Sequence, residues 1–198
     1  FEKAVDADPN YAEAWYQAGY AYGFLGRHAD ALKASKQAAK LRPDWAEAHV
    51  NIGASNFAMG QFKEAADAYR QAIRLEDDSA DTQYALGLSL EKLGRTDEEA
   101  LAYKRALALN PGHSGAMEKL GLAYVKLKRP ADALAAFEQL KIYKPEAKTY
   151  NYIGESLFEL GKTEEASEAF NTAVSYNPDM DNARFNLGRA YIKLGKTD

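Results

Sequence analysis

The residue types able to do chemistry are few in this chain: three histidines, His28, His49 and His113, and several neighbouring carboxylates. A zinc site built on a helix needs two imidazoles one turn apart on one face. No histidine here has a second ligand at i+4, and the three fall in a turn, a helix and a linker, so they read as surface or packing residues. Glu98 with Glu99, and Glu164 with Glu165, stand at predicted helix starts. Carboxylates there favour the positive end of the helix dipole, which accounts for them without acid–base catalysis. The run Glu76, Asp77, Asp78 and Asp81 lacks the glycine and the terminal glutamate of a calcium loop and reads as a solvated helix junction. The absence of cysteine excludes disulfides, thiolate metal sites and a cysteine nucleophile. No G-x-S-x-G elbow or phosphate-cradling glycine loop occurs, because the glycines recur with a structural period. The chain is therefore expected to carry no catalytic residue, no metal and no cofactor.

That period identifies the elements that position everything else. Gly19, Gly53, Gly87, Gly121, Gly154 and Gly188 are spaced by 34, 34, 34, 33 and 34 residues. Pro9, Pro43, Asp77, Pro111, Pro145 and Pro178 keep spacings of 34, 34, 34, 34 and 33. Two independent residue types with one period predict a repeat architecture. Within the first tile, Ala14, Ala18, Ala21, Tyr22 and Leu25 recur at helical spacing, and so do Ala31, Leu32, Ser35, Ala38 and Leu41. Each tile is thus a pair of amphipathic helices. Gly26, Gly60, Gly94, Gly161 and Gly195 separate the two helices, glycine being best able to take a left-handed cap. Lys128 stands at that place in the fourth tile, two residues before Pro130, which predicts a turn closed by a different device.

The expected layout is a lone second helix within residues 1–11, full repeats at 12–45, 46–79, 80–113, 114–146 and 147–180, and a lone first helix within 181–198. The residue missing from the fourth tile falls in the linker from Pro145 to Ala147. A mid-helix glycine costs about 1 kcal/mol relative to alanine, so six of them imply a compensating close approach, expected to be between helix backbones. Ala31, Ala65, Ala133 and Ala166 are small, and Tyr69, Tyr103, Phe137 and Phe170 are large at places that can fill the space. Glu99 breaks the small-residue rule, and Ala100 is expected to replace it after a slight rotation.

The formal net charge is −4, which gives no global basic field for nucleic acid. No run of 18 apolar residues is present, so direct membrane insertion is not expected, and the compartment stays open. The chain starts without Met and inside a helical pattern, which suggests an upstream segment.

Trp15, Ala18, Gly19 and Tyr22, with Ile52–Gly53, Leu86–Gly87, Leu120–Gly121 and Leu187–Gly188, resemble the tetratricopeptide-repeat pattern W-x2-L-G-x2-Y. The resemblance spans essentially the whole chain. It implies an all-α fold, a right-handed α-solenoid of stacked antiparallel helix pairs with a concave groove lined by first helices. The stripe left over on those helices then supplies the expected peptide-binding residues: Tyr16, Tyr20, Asn51, Phe57, Tyr84, Leu88, Lys119, Tyr152 and Asn186. Its early part, with Glu13, Phe24, Glu47 and Asp81, is aromatic with an acidic fringe. Later, with Lys126, Lys148, Arg189 and Lys193, it becomes more basic. Some family members hold a terminal carboxylate in a clamp spread over three repeats. Asn51 matches one clamp position, but Tyr16, Tyr20, Asp81 and Ala85 stand at others, so that mode is disfavoured.

The expected function is a non-enzymatic scaffold that binds a peptide or protein segment in the groove. An alternative makes the chain the substrate-recognition arm of a larger enzyme resembling the O-linked N-acetylglucosamine transferases. RNA binding is disfavoured by the acidic fringe and the 34-residue period. Self-association through the terminal helices is a further expectation. It rests on Leu187, Ala190, Tyr191 and Leu194 at one end and Phe1, Ala4 and Val5 at the other.

Overall fold

The computed structural model describes residues 2–75 and 78–196. Phe1, Glu76 and Asp77, named above, lie outside the described residues. The described residues form twelve α-helices and no strand: α1 (Glu2–Ala7), α2 (Ala12–Phe24), α3 (His28–Leu41), α4 (Ala46–Ala58), α5 (Phe62–Arg74) and α6 (Ala80–Lys92). They continue as α7 (Thr96–Leu109), α8 (Ser114–Lys126), α9 (Pro130–Tyr143), α10 (Ala147–Glu159), α11 (Thr163–Tyr176) and α12 (Asp181–Lys193). None of these helices is long and apolar enough to cross a membrane.

The helices fall into two compact units, Phe1–Asn110 and Pro111–Asp198. In the first, α2 packs on α3, α4 on α5 and α6 on α7, with α3 against α4 and α5 against α6 joining successive pairs. The second repeats the scheme with α8 on α9, α10 on α11, and α12 against α11. Connections this short force each helix to turn back along its predecessor. The connection from α9 to α10, residues 144–146, is shorter than the corresponding 42–45, 110–113 and 177–180, which places the missing residue as expected.

The turn inside each pair is closed by a left-handed residue. Gly26 has φ 74°, and the Arg27 N–H donates to the Tyr22 carbonyl at 2.9 Å, six residues being closed as in a Schellman cap. Lys128 corrects the expectation of a different device: it takes φ 55°, and Arg129 N–H donates to Tyr124 O at the same 2.9 Å. The fourth pair keeps the same turn, with a lysine strained into it and Pro130 opening the next helix.

The core also corrects the account of the mid-helix glycines. A Cβ on Gly53, Gly87, Gly121 or Gly154 would lie 2.4–2.7 Å from a ring atom of Tyr69, Tyr103, Phe137 or Phe170 respectively. The glycine is a seat for the ring of the following helix, not a point of contact between backbones. Those four rings are all at most 4% exposed, and covering each is worth roughly 1.5–3 kcal/mol. Gly19 differs because Ser35 stands where the others have a ring. There the backbones do approach, a Cβ lying 3.2 Å from Ser35 N and 3.3 Å from Ala31 O. Gly188, on α12, has nothing within 4 Å. Glu99 is buried at the small-residue position itself, 1% exposed, alongside Ala100 at 5%, so no rotation replaces it.

Candidate functional site

The expected site residues all lie on first helices, and within each unit they meet different partners. In the first unit, Tyr16 leans on Trp45 with ring centroids 4.5 Å apart and joins α2 to the start of α4. Burial, followed by the Glu47 charge, raises its phenol above the usual value. Phe57 meets Phe62 edge-on at 5.3 Å within its own helix pair. Tyr84 tilts against the buried Tyr103 at 5.8 Å, and Leu88 is half-buried on the same helix. These rings pack between helices and are half-buried.

Tyr20 is different. It is 58% exposed, and one turn later Phe24 is 88% exposed, because Ala18 and Gly19 carry the buried face of α2. Beside them a groove of about 270 Å³ opens between α2 and α4, lined by Tyr20, Gly23, Phe24, His28, Asn51 and Ala54 among others. The glycines keep its wall low. The Asn51 amide nitrogen is buried there, and the Asn51 side chain acts on the Tyr16 phenol, whose pKa it lowers against the larger effect of burial. A second hollow, lined by Tyr20, Ala21, Phe24 and Leu25, flanks the same ridge on its other side. The pair of rings therefore stands as an apolar ridge next to a polar anchor.

The first unit's acidic fringe is partly neutralised. Arg42 reaches back from the end of α3 to the Glu13 carboxylate while its guanidinium lies 4.4 Å from the Trp45 ring centre. Glu13 sits in the first turn of α2, and its own backbone N–H lowers its pKa first, with Arg42 assisting. Glu47 stays exposed at the start of α4.

In the second unit, Tyr152 stacks on Phe137 at 4.7 Å, with the Lys148 ammonium 5.6 Å from its ring. Lys148 pairs with Glu118 across α8 and α10 at 2.6 Å, and that hydrogen bond raises its pKa. Lys119 is half-buried on α8. Asn186 is engaged within the protein: its Nδ2 donates to Asn151 Oδ1 at 3.2 Å and to Glu155 Oε1 at 3.0 Å. Asn151 Nδ2 donates to the same Glu155 oxygen at 2.9 Å. Asn186 thus has only its carbonyl oxygen left to offer, and Arg189 reaches that at 3.4 Å. Of the two asparagines expected to meet a ligand, Asn51 lines the α2–α4 groove, whereas Asn186 is held by Asn151 and Glu155.

The histidines are placed by local structure. His113 precedes α8, and its Nδ1 accepts from the Ala116 N–H at 3.1 Å, which makes it a helix cap. His49 meets the Pro43 carbonyl at 3.2 Å, while His28 lines the α2–α4 groove.

Tetratricopeptide-repeat profiles match residues 50–114 and 84–151, and another matches 1–33. A profile described as TPR repeat matches 154–195. The chain belongs to the tetratricopeptide-repeat family. Among solved structures, this tetratricopeptide-repeat chain is similar to YrrB, a TPR protein with an unusual peptide-binding site. The TM-score is 0.85 at 23% identity, over 93% of this chain and 95% of that one. The MamA protein gives 0.77 at 23% identity over 94% and 95%. PilF of Pseudomonas aeruginosa gives 0.70 at 20% identity over 93% and 85%. These likenesses are of fold. Comparison with the sequences of curated proteins gives no match.

Within this tetratricopeptide-repeat chain, the expected site omitted Gly23 and His28, which build the groove with Tyr20, Phe24 and Asn51. Phe24 belongs to the expected stripe because it lies four residues after Tyr20 and so on the same helical face. No comparable signal marked Tyr16, Phe57, Tyr84 and Tyr152 as bridges between helices.

Proposed function

We propose that the chain is a non-enzymatic interaction scaffold that holds a peptide segment in the α2–α4 groove. The carrying observation is the pair of exposed rings, Tyr20 and Phe24, standing beside a groove whose wall includes the Asn51 side chain. An apolar ligand side chain would lie against Tyr20 and Phe24, and the exposed Glu47 in the first turn of α4 favours a basic flank. The shared fold with YrrB, a protein with a peptide-binding site, supports this reading.

The test is to select peptides on the chain from a displayed library, resynthesise the strongest binder and titrate it against variants. Tyr20→Ala and Asn51→Leu should each weaken binding about tenfold, or roughly 1.4 kcal/mol. Undiminished affinity in both variants would reject the site.

A second reading, self-association through the terminal helices, is favoured by α12. Gly188 has no ring on it, and Phe185 and Ile192 are 68% and 70% exposed. Sedimentation velocity across a concentration series should then show growing mass, reduced by Ile192→Glu; a constant monomer would reject it.

A further inference from the structure

A second groove, sharing no residue with the first, lies between the second helices α5 and α7. It encloses about 240 Å³. Its floor is Leu86 and Leu90 of α6 with Ala102, and its walls include Ile73 from α5 and Leu101 from α7. Arg70, Arg74 and Arg105 stand round it, against one carboxylate, Glu98.

Two of these residues depart from the repeat. Where Leu101 stands, the other second helices have Lys33, Asp67, Ala135 and Glu168, yet Leu101 is 50% exposed. Where Arg105 stands, they have Gln37, Gln71, Gln139 and Thr172. An aliphatic side chain set half in water and a neighbouring cation are not needed by the packing, since the other repeats manage without them. The charges round the groove are also unbalanced. Arg70 is consumed by Asp67 at 3.2 Å and Glu98 at 3.0 Å. Arg74 donates to the neutral Gln71 Oε1 at 3.2 Å, and neither it nor Arg105 joins an ion pair among the described residues. Two guanidinium groups are left beside an apolar trough.

We propose that this groove docks an acidic segment of a partner protein. An aliphatic side chain of the segment lies over Leu101 and the Leu86–Leu90 floor, and its carboxylates pair with Arg74 and Arg105. Arginine suits this role because its planar fork matches a carboxylate. The apolar floor and the chain's net charge of −4 do not suit a nucleic-acid backbone.

The test uses fluorescence anisotropy with a fluorescein-labelled peptide of repeated Glu-Leu-Asp, and a Lys-Leu-Lys peptide of the same length as control. The acidic peptide should bind the chain and the basic one should not compete at this groove. The double variant Leu101→Asp, Arg105→Gln installs the residues found at Asp67 and Gln71, so the helix should tolerate it. It should weaken binding at least about tenfold with an unchanged circular dichroism spectrum. Arg74→Gln with Arg105→Gln, which leaves every apolar residue in place, should do the same. Asn51→Leu should have no effect, which separates this groove from the α2–α4 site. Absence of acidic-peptide binding, equal binding of the two peptides, or undiminished binding by both double variants would overturn the proposal. Displacement of the peptide by poly(U) RNA, sensitive to the same arginines, would overturn it too.

Discussion

Replacing one mid-helix glycine by alanine should have opposite effects at two equivalent places in the repeat. Alanine is favoured over glycine in a helix interior by about 1 kcal/mol. At Gly188 nothing lies within 4 Å of the added methyl, so Gly188→Ala should realise that gain. For a chain of this size 1 kcal/mol corresponds to a rise of about 2–4 °C in midpoint. At Gly87 the same methyl would stand 2.4, 2.7 and 2.9 Å from three ring atoms of Tyr103. That ring cannot withdraw easily. It is fully buried, it packs against Tyr84 at 5.8 Å, and its hydroxyl donates to Glu91 Oε2 at 3.3 Å. Overpacking of this kind costs roughly 1–3 kcal/mol, which outweighs the propensity gain over most of that range. Gly87→Ala should therefore lower the midpoint by a few degrees. Far-UV circular dichroism melts of both variants, with amide exchange on α12 for the terminal helix, measure the effect. A third variant isolates the cause: in a Tyr103→Leu background, Gly87→Ala should lose most of its penalty. If both alanines shift the midpoint in the same direction, or if the penalty survives without the ring, the ring-seat explanation is wrong.

Two further outcomes follow from the same structure. Lys128→Gly should raise the thermal midpoint, because the left-handed conformation at φ 55° costs a lysine about 1 kcal/mol and costs glycine little; an unchanged or lower midpoint would contradict this. Tyr69 is 4% exposed, and burial raises its pKa to about 12 from the ordinary 10. The folded pKa is the higher one, so stability is intact below pH 10 and is lost as pH rises from 10 towards 12. The full loss over that window is about 3 kcal/mol. Tyr69→Phe should remove part of the pH dependence of chemical unfolding between those limits; an identical pH profile in the variant would refute the assignment.

The family, the helix pairs and their turns were legible because they depend on local chemistry repeated along the chain. Glycine at a left-handed turn, small residues on a buried face and a fixed period each leave a mark in sequence. The fate of a particular aromatic ring does not. Tyr16 and Tyr20 share a helix, lie four residues apart and were equal candidates; Tyr16 is covered because Trp45 happens to reach it, whereas Tyr20 stays 58% exposed. Asn51 and Asn186 looked alike too, until Asn151 and Glu155 claimed the Asn186 amide while Asn51 was left on the wall of a groove.

By itself, then, the sequence determined the repeating unit: which residues turn the chain, which faces are apolar and where one linker is short. These are properties of neighbours within about a helical turn. Tertiary structure decided what fills the seat above each glycine, which rings bridge helices, and that a lysine adopts the turn conformation of glycine. It also placed Arg105 and Leu101 over a trough floored by α6. Those outcomes depend on side chains brought together from different helices, and a contact of that kind is set by packing geometry, which the order of residues does not state.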